Sequence, residues 1–466
     1  MANDLSAILA AETFSERLVT FMQGQQQAGL PPEVLHEVKR LLINQLKASV
    51  AATTHSAVQA LHAWAVEAGA PARAASVLWF GSQVSPEHAA VVNGALFEVL
   101  DFNDTYIPCF MHAVSGVLPA ALAAAELQGS SGAELLIALA LGIEVELACA
   151  TLLMPSGYTQ RGFIPGGLTG GIGAAAACSV LAGLDTEKTR NALSLAMCSS
   201  FGLYESVGSD GLPYIMGMTA RSGFNAWQLA WRGLSGPRTA VEGERGMLAA
   251  QSNESVDKVE AVLGTLGKTW RLFGNTYKTV PTETITHAPI ECVMAVLPRA
   301  KGRTLARLRF GVSPIVVKIA DERRARFGLP SSELTARFDT RFCAAAAWVR
   351  GAFTLNEMRE PAYTDAQILS LRERVDLIAD ASFATFDGCW LEAQFTDGSV
   401  ETAQVPAFLG TPANPMSDAQ LSEVFRVSAA GLMPDERIES LLQAAWSLQS
   451  APSLQTLFSL TQLHKD

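Results

Sequence analysis

Residues 131–144 of the chain read SGAELLIALALGIE, and this stretch indicates how the fold is built. Ser131 followed by Glu134 matches the S-x-x-E capping box that begins many helices. The apolar run from Leu135 to Ile143 ends at Glu144, far short of the roughly 20 residues that cross a bilayer. A short helix that is apolar on all sides belongs in a protein core. The stretch therefore predicts a buried core helix.

The composition favours two domains with large buried surfaces. A chain of 466 residues exceeds the size of one ordinary hydrophobic core. Hydrophobic residues make up 49% of it and charged residues 17%, so we expect further burial between subunits, in a homodimer. The formal net charge of −11 offers no basic surface for the phosphates of nucleic acid. We therefore expect no nucleic-acid partner.

Helical patterns dominate the chain up to about Gly264 and return from Ser417. Apolar side chains between Pro32 and Leu46 recur at three- and four-residue steps, which predicts a helix with one apolar stripe. Asp185 has the character of a helix cap. Both ends of the chain are therefore predicted to be helical.

The residues between about 268 and 405 follow a different pattern. Stretches 305–319 and 374–386 are rich in β-branched residues, and Asp397-Gly398 separates two alternating arms, as in a β-hairpin. We therefore predict a mainly α protein in which a large all-α domain, residues 1–266 and 405–466, carries an inserted smaller α+β lid domain, residues 267–404.

The cysteines and the N-terminus indicate a reducing, cytoplasmic setting. The seven Cys are odd in number and contain no C-x-x-C pair, and no Cys or His cluster has the spacing of zinc ligands. The first residues carry Asp4 and Glu12 where an export signal needs positive charge, so we interpret 1–18 as an amphipathic helix. Residues 168–184 are apolar but contain Gly, Ser and Thr, which favours helix packing over a membrane span. We expect no metal and no membrane segment.

Gly171, Gly173 and Ala176 match the dinucleotide-binding pattern G-x-G-x-x-A. That pattern requires a preceding strand, whereas here Pro165-Gly166-Gly167 precedes it and an Ala-rich helix follows. We therefore interpret the glycines as sites of close helix packing and expect no nicotinamide cofactor.

An acidic pair precedes a histidine near residue 100. Asp101 and Asp104 lie three residues apart and are followed by His112. Such a pattern can orient an imidazole for proton transfer near neutral pH, or it can cap a loop. The spacing alone favours the structural interpretation.

Two further stretches carry residues capable of binding or chemistry. Arg161, in a polar loop, can hold a carboxylate with two hydrogen bonds or lie solvated on the surface. Lys278 and His287 fall near the predicted domain junction, a common place for a ligand. A lone histidine is nevertheless more often structural.

Several stretches together resemble the MmgE/PrpD family, the group of 2-methylcitrate dehydratase and cis-aconitate decarboxylase. VNGALFEVLDFNDT (92–105) is similar to the family pattern of N-G followed by L-D-F-D-D-T. The resemblance continues through HAVSGVLPAALAAAELQGSSGAELLIALALGIEV (112–145), GFIPGGLTGGIGAAAACSVLAGLD (162–185), GMTARSG (217–223), GLSGPRTAVEGERGML (233–248), YKTVPTETITH (277–287) and ELTARFDTRFCAAAA (333–347). The combination is specific, although single pieces are not.

This resemblance implies a dimer of a helical domain joined to a smaller α+β lid, with the active site in the cleft between them and no required metal or coenzyme. It places Asp101 and Asp104 in the acidic motif and His112 after that motif. Lys278 begins the K-x-x-P motif, and His287 matches its terminal histidine.

The chain departs from the family pattern at several protic positions. Ile164 replaces the His of F-H-P, and Leu212 replaces a Lys. The family's Tyr falls at Arg341 or Phe342, and D-T-x-H-P becomes DTYIP at 104–108. Several proton donors of the dehydratases and decarboxylases are therefore missing.

The resemblance and these departures lead us to expect a cofactor-independent epimerase, an isomerase that inverts a carbon α to a carboxylate in a small polycarboxylate resembling iminodisuccinate. The expected catalytic residues are His112, His287, Lys278 and Asp101, and the expected substrate-binding residues are Arg161, Tyr158, Asp104, Tyr214 and Arg221. Cys109 is a reserve acid–base candidate that is more readily interpreted as a buried structural thiol.

Two alternatives remain open. One is a lyase, a dehydratase of a 2-methylcitrate-like hydroxy-polycarboxylate that uses Tyr158 or Tyr214 as its acid. The other is a non-catalytic relative that only binds polycarboxylates.

Overall fold

A computed structural model of the chain describes residues 12–463, which divide into two units. The first unit contains residues up to 99, 103–275 and those from 418 onward, and the second contains 100–102 and 276–417. Residues 1–11, which hold most of the predicted N-terminal helix, and residues 464–466 lie outside the described part.

The first unit is built almost entirely of helices. Its helices span Phe14–Ala28, Pro32–Val50, Ser56–Glu67, Pro86–Glu98, Ala113–Gln128, Gly132–Leu153, Ser156–Thr159, Pro165–Leu181, Thr186–Cys198, Gly211–Trp231, Met247–Gln251, Lys258–Leu263, Asp418–Ala429, Asp435–Trp446 and Gln455–Leu460. Strands Ala75–Ser76 and Gln83–Val84 pair antiparallel, Thr105–Tyr106 is another short strand, and Asn275–Thr276 spans the division between the units. The prediction of a mainly α protein is confirmed.

The core helix predicted from residues 131–144 is present as Gly132–Leu153. Ser131 and Glu134 form the predicted capping box. Among residues 12–463 this is the helix that is long and apolar enough to cross a membrane. Its most apolar 18-residue stretch is nevertheless 89% buried inside the protein. Because this helix is apolar on every side, its position in the core removes its apolar surface from water.

The glycines of the dinucleotide-like pattern lie inside the helix Pro165–Leu181. A Cβ atom on Gly173 would lie 2.7 Å from the carbonyl oxygen of Gly142, on the core helix. A Cβ atom on Gly223 would lie 2.2 Å from the carbonyl oxygen of Gly171. Since real side chains do not approach so closely, these glycines let three helix backbones pack against each other. The helix-packing interpretation is therefore confirmed.

The second unit combines helices with one mixed sheet. Its helices span His287–Val296, Pro314–Phe327, Glu333–Arg337, Thr340–Arg350 and Ala366–Arg372. The four strands of the sheet lie in the order Val375–Ala379, Leu305–Val312, Cys389–Phe395 and Val400–Val405. The first pair is parallel and the other two are antiparallel. The predicted hairpin is present, and Gly398 takes a φ of 85° in its turn.

Two strand predictions were too long. The strand that begins at Leu305 ends at Val312, and Pro314 starts a helix, so the strand-like interpretation of 313–319 was wrong. Pro lacks the N–H group that a sheet needs and suits the first turn of a helix. In 374–386 only Val375–Ala379 forms a strand.

The boundaries of the two units lie later than those proposed from the sequence. Arg271 donates from its Nη1 atom to Oε1 of Glu144 at 2.8 Å, which ties the segment before 275 to the core helix of the first unit. The backbone N–H of Tyr277 donates to the carbonyl oxygen of Gly410 at 2.8 Å within the second unit. Both bonds lie within the units to which residues 267–275 and 405–417 belong. The role of the second unit as a lid stays a prediction.

Candidate active site

His112 is held by the loop that precedes its helix. It is the residue before the helix Ala113–Gln128, and its Nδ1 atom lies 2.5 Å from the carbonyl oxygen of Asp104. A carbonyl oxygen can only accept, so Nδ1 carries the hydrogen and Nε2 of the neutral ring keeps a lone pair. The side chain is 21% exposed. The ring is therefore oriented, reachable from solvent and able to accept a proton.

Glu98 faces the other ring nitrogen of His112. Its Oε1 atom lies 3.8 Å from Nε2, and its side chain is only 1% exposed. Asn103 donates from Nδ2 to Oε2 of Glu98 and to Oγ of Ser115, each at 2.7 Å. Glu98 was not among the site residues predicted from the sequence. The sequence feature that could have identified it is a carboxylate inside the otherwise apolar segment ALFEVL, because a buried carboxylate needs a partner.

Asp104 supports the same loop from within the core. Its Oδ1 atom accepts from Nε2 of Gln45 at 2.6 Å, and Oδ2 accepts from the backbone N–H of Ala113 at 3.2 Å. Burial raises the pKa of Asp104 to about 6, although the neighbouring His112 acts to lower it. Asp104 is fully buried in the first unit. Its contacts are those of a residue that orders the backbone beside His112.

Asp101 and Lys278 form a buried ion pair in the second unit. Nζ of Lys278 donates to the carbonyl oxygen of Asp101 at 2.8 Å and also pairs with its carboxylate. The Lys278 side chain is fully buried, and that of Asp101 is 8% exposed. Asp101 has a φ of 49°, a left-handed conformation that Asp tolerates better than most residues. The structure therefore brings these two predicted residues together.

His287 lies in the core of the second unit. It begins the helix His287–Val296 and is 1% exposed. Its ring centroid lies 5.0 Å from that of Phe408, and Nε2 is 3.4 Å from the carbonyl oxygen of Thr282. These contacts are those of a packed histidine, and its predicted catalytic role remains a prediction.

Polar groups of the loop 155–162 bond to residues 252–254 of the same unit. Arg161 donates from Nε to Oδ1 of Asn253 at 3.1 Å and from Nη2 to the carbonyl oxygen of Ser252 at 3.5 Å, and the residue as a whole is exposed. Tyr158 stacks on Phe110 with ring centroids 5.3 Å apart and meets Tyr204 edge-on at 5.0 Å. Arg161 has exposed surface for an anion, whereas the Tyr158 ring belongs to an aromatic cluster.

Tyr214 and Arg221 lie on the helix Gly211–Trp231. Tyr214 is 47% exposed, and Arg221 is partly exposed. Burial and then the charge of Arg221 lower the pKa of His88. Nothing in these positions links either residue to His112, so their substrate-binding role also stays a prediction.

Cys109 has the properties of a structural thiol. It is 2% exposed, and burial raises its pKa to about 11. Because little thiolate forms at neutral pH, the geometry favours the structural interpretation of this reserve candidate.

Side chains without an ionisable group occupy three positions where the chain departs from the family pattern. Ile164 is 8% exposed and precedes the helix Pro165–Leu181. Leu212 lies in the first turn of the helix Gly211–Trp231. Phe342 is fully buried, and Arg341 donates to Oδ1 of Asp321 at 2.7 Å. Ile164, Leu212 and Phe342 have no acidic hydrogen to supply to a departing hydroxyl group, and the Arg341 guanidinium is paired with Asp321.

The predicted residues fall in both units. His112, Asp104, Arg161, Tyr158, Tyr214 and Arg221 belong to the first unit, and Asp101, Lys278 and His287 belong to the second. Within the units, Asp104 contacts His112 and Asp101 contacts Lys278. A common cleft for all nine residues stays a prediction.

Comparison with known proteins identifies the family. The sequence profile of the MmgE/PrpD N-terminal domain matches residues 16–259, and that of the MmgE/PrpD C-terminal domain matches residues 280–448. Cis-aconitate decarboxylase of Homo sapiens is 25% identical over 464 residues, covering 96% of this chain and 94% of the human protein. The Mus musculus enzyme of that name is 27% identical over 390 residues, covering 81% and 79%. Cis-aconitate decarboxylase of Aspergillus terreus strain NIH 2624 is 23% identical over 415 residues, covering 84% of each chain. The chain belongs to the MmgE/PrpD family.

Proposed function

We propose that this chain is a cofactor-independent epimerase that inverts a carbon α to a carboxylate in a small polycarboxylate resembling iminodisuccinate. Its relatives are named as enzymes that act on cis-aconitate, which supports a small polycarboxylate as the substrate class. The single observation that carries the proposal is the orientation of His112, whose Nδ1 atom is bound to the Asp104 carbonyl oxygen.

His112 is the proposed base. With hydrogen on Nδ1, the Nε2 lone pair takes the proton of the α carbon, and the electrons of the broken C–H bond move into the adjacent carboxylate. The resulting enolate-like intermediate carries more negative charge than the substrate. Cationic side chains stabilise such charge, and we assign Arg161 to this role because it is an exposed cationic residue of the same unit as His112. A protein of net charge −11 needs such local positive groups to bind a polyanion.

Return of a proton to the opposite face completes the inversion. The proton donors proposed for this step are Lys278 or His287, both in the second unit. No hydroxyl group leaves and no carbon dioxide forms in this reaction. The acids that a dehydratase needs are therefore unnecessary, which agrees with an isoleucine at 164 and a leucine at 212.

A lyase is the second candidate function, and the names of the relatives favour it. It requires an acid from elsewhere in the chain, such as Tyr158 or Tyr214. The exposed hydroxyl-bearing ring of Tyr214 is the better placed of the two for contact with a solute. A Tyr214→Phe variant tests this role directly.

A panel of di-, tri- and tetracarboxylates distinguishes the candidates. Each compound is mixed with the protein, the thermal unfolding midpoint is measured, and proton NMR follows the compound over hours. The proposal predicts stabilisation by a substituted succinate together with a new diastereomer. An alkene or carbon dioxide from the stabilising compound would establish the lyase. If compounds stabilise the protein but none of them is chemically changed, the result would favour the non-catalytic polycarboxylate-binding protein.

A further inference from the structure

We propose that Cys292 and Cys389 form a redox-sensitive pair that hydrogen peroxide converts into a disulfide, a covalent modification that joins two elements of the second unit. The two sulfur atoms lie 3.2 Å apart. A disulfide bond is about 2.05 Å long, so the sulfur atoms need to approach each other by about 1 Å. Small rotations of the two side chains cover such a distance.

The fold of the second unit brings the two thiols together. Cys292 lies in the helix His287–Val296, and Cys389 is the first residue of a central strand of the sheet. Cys389 is paired with Val312 on one side and with Val405 on the other, and the helix packs against this strand. A disulfide between the two residues would therefore tie the helix to the middle of the sheet.

The contact between two sulfur atoms distinguishes this pair from the other cysteines. All seven Cys lie within residues 12–463 and are free thiols. Cys178 and Cys343 are also fully buried, but each donates from Sγ to a backbone carbonyl oxygen at 3.5 Å. Cys292 and Cys389 instead contact each other, which is the arrangement that disulfide formation requires.

One molecule of hydrogen peroxide is sufficient for the reaction. The thiolate of one cysteine attacks a peroxide oxygen, hydroxide leaves with the electrons of the O–O bond, and a sulfenic acid forms. The second sulfur then attacks the sulfenic sulfur, the S–S bond forms, and the oxygen leaves as water. The two thiols lose two electrons and two protons in total, and the peroxide is reduced to two water molecules.

Burial of the pair limits the rate of this reaction. Both residues are fully buried, and burial raises the pKa of Cys389 well above its ordinary value. The thiolate is therefore scarce, and we expect the pair to react during local opening of the second unit. The reducing setting expected from the sequence would make such a disulfide transient, as redox-sensing disulfides of the cytoplasm are.

Thiol counting and peptide mapping test the inference. Cys198 is the exposed cysteine of the seven, so Cys198→Ser serves as the reference protein. The folded protein is treated with hydrogen peroxide, alkylated with N-ethylmaleimide in denaturant and digested without a reductant. Mass spectrometry should find a linked peptide that contains Cys292 and Cys389, and the count of free thiols should fall from six to four. Dithiothreitol should restore all six.

Two further variants in the same background serve as controls. Cys292→Ala removes one partner, so no linked peptide should form. Cys343→Ala removes another buried thiol of the second unit and leaves both partners in place. This variant should give the linked peptide in the same yield as the reference protein.

The thermal unfolding midpoint provides an independent readout. The bond would join positions 97 residues apart, so oxidation should raise the midpoint by about 5 °C, and dithiothreitol should reverse the change. These measurements need no turnover and are independent of the proposed epimerase. Absence of the linked peptide from the folded protein, or separate oxidation of the two residues to sulfinic acids, would overturn the inference. A lower midpoint of the linked protein would also overturn it, because the native packing would then not accommodate the bond.

Discussion

Nζ of Lys278 donates to the carbonyl oxygen of Asp101 at 2.8 Å and pairs with the carboxylate of the same residue, although 177 residues separate the two in the chain. Both groups lie inside the second unit, where water screens them little. Each charged group therefore stabilises the other, and replacing either one alone removes the ion-pair partner of a buried charge.

Lys278→Met should lower the free energy of unfolding by about 3 kcal/mol or more, because the Asp101 carboxylate loses its counter-ion. Urea unfolding of Lys278→Met, Asp101→Asn and the double variant measures the coupling. The double variant should be more stable than the sum of the single losses implies. Lys188→Met is the control, since the pair with Asp185 is exposed and a change below about 1 kcal/mol is expected. Additive losses in the double variant would show that the two residues act independently.

The stability of the first unit should depend on pH through Asp104. Burial raises its folded-state pKa to about 6 from the ordinary value of 3.8. A raised pKa means that the protonated form favours folding, so this stabilisation is complete below about pH 4 and is lost as the pH rises through 6. The expected change is about 3 kcal/mol.

Asp104→Asn should lack this component of the pH dependence. The neutral amide can donate to Oε1 of Gln45, an atom that is buried without a hydrogen-bond partner in the described protein. Urea unfolding between pH 4.5 and pH 8 should therefore give a flatter profile for the variant. Parallel profiles for the two proteins would contradict the assignment of a raised pKa to Asp104.

Two buried carboxylates on the core helix should lose different amounts of stability on the same substitution. Glu144 accepts from Nη1 and the backbone N–H of Arg271, each at 2.8 Å, whereas both oxygens of Glu146 lack a hydrogen-bond partner within residues 12–463. Glu144→Gln should cost about 3 kcal/mol, because the buried Arg271 guanidinium loses its counter-ion.

Glu146→Gln should change stability by less than about 1 kcal/mol at pH 4. Burial, and then the nearby Asp104, raise the pKa of Glu146 well above its ordinary value, which favours the neutral form of the native group. As the pH rises from the ordinary pKa towards the raised one, the unmodified protein should lose stability that Glu146→Gln retains. Urea unfolding at pH 4 and pH 9 measures both effects. A large loss for Glu146→Gln at pH 4 would indicate that the carboxylate is ionised and paired.

Local signals were sufficient to predict much of the helical architecture. The core helix follows from a capping box and an apolar run within one stretch, and Asp185 caps the helix Thr186–Cys198 as expected. The strand from Leu305 was overextended because β-branched residues were weighted above Pro314, whose ring is incompatible with the interior of a sheet.

The candidate site was only partly predictable for a physical reason. His112 and Lys278 belong to motifs and were found by resemblance. The Glu98 contact with His112 requires a particular bend of the loop between two helices, and Gln45 reaches Asp104 from a helix 59 residues away. Such contacts depend on tertiary packing, which cannot be inferred from the spacing of residues in the sequence. The sequence feature that pointed to Glu98 was its charge within an otherwise apolar segment.

Proton exchange at the α carbon tests the central proposal most directly. One stereoisomer of iminodisuccinate is incubated with the protein in deuterated buffer, and proton NMR and optical rotation are followed together. The epimerase mechanism predicts α-deuterium incorporation with new diastereomers and no alkene signal, and a loss of about 100-fold or more in His112→Gln. Accumulation of an unsaturated acid or of carbon dioxide, with the α position still carrying hydrogen, would contradict it.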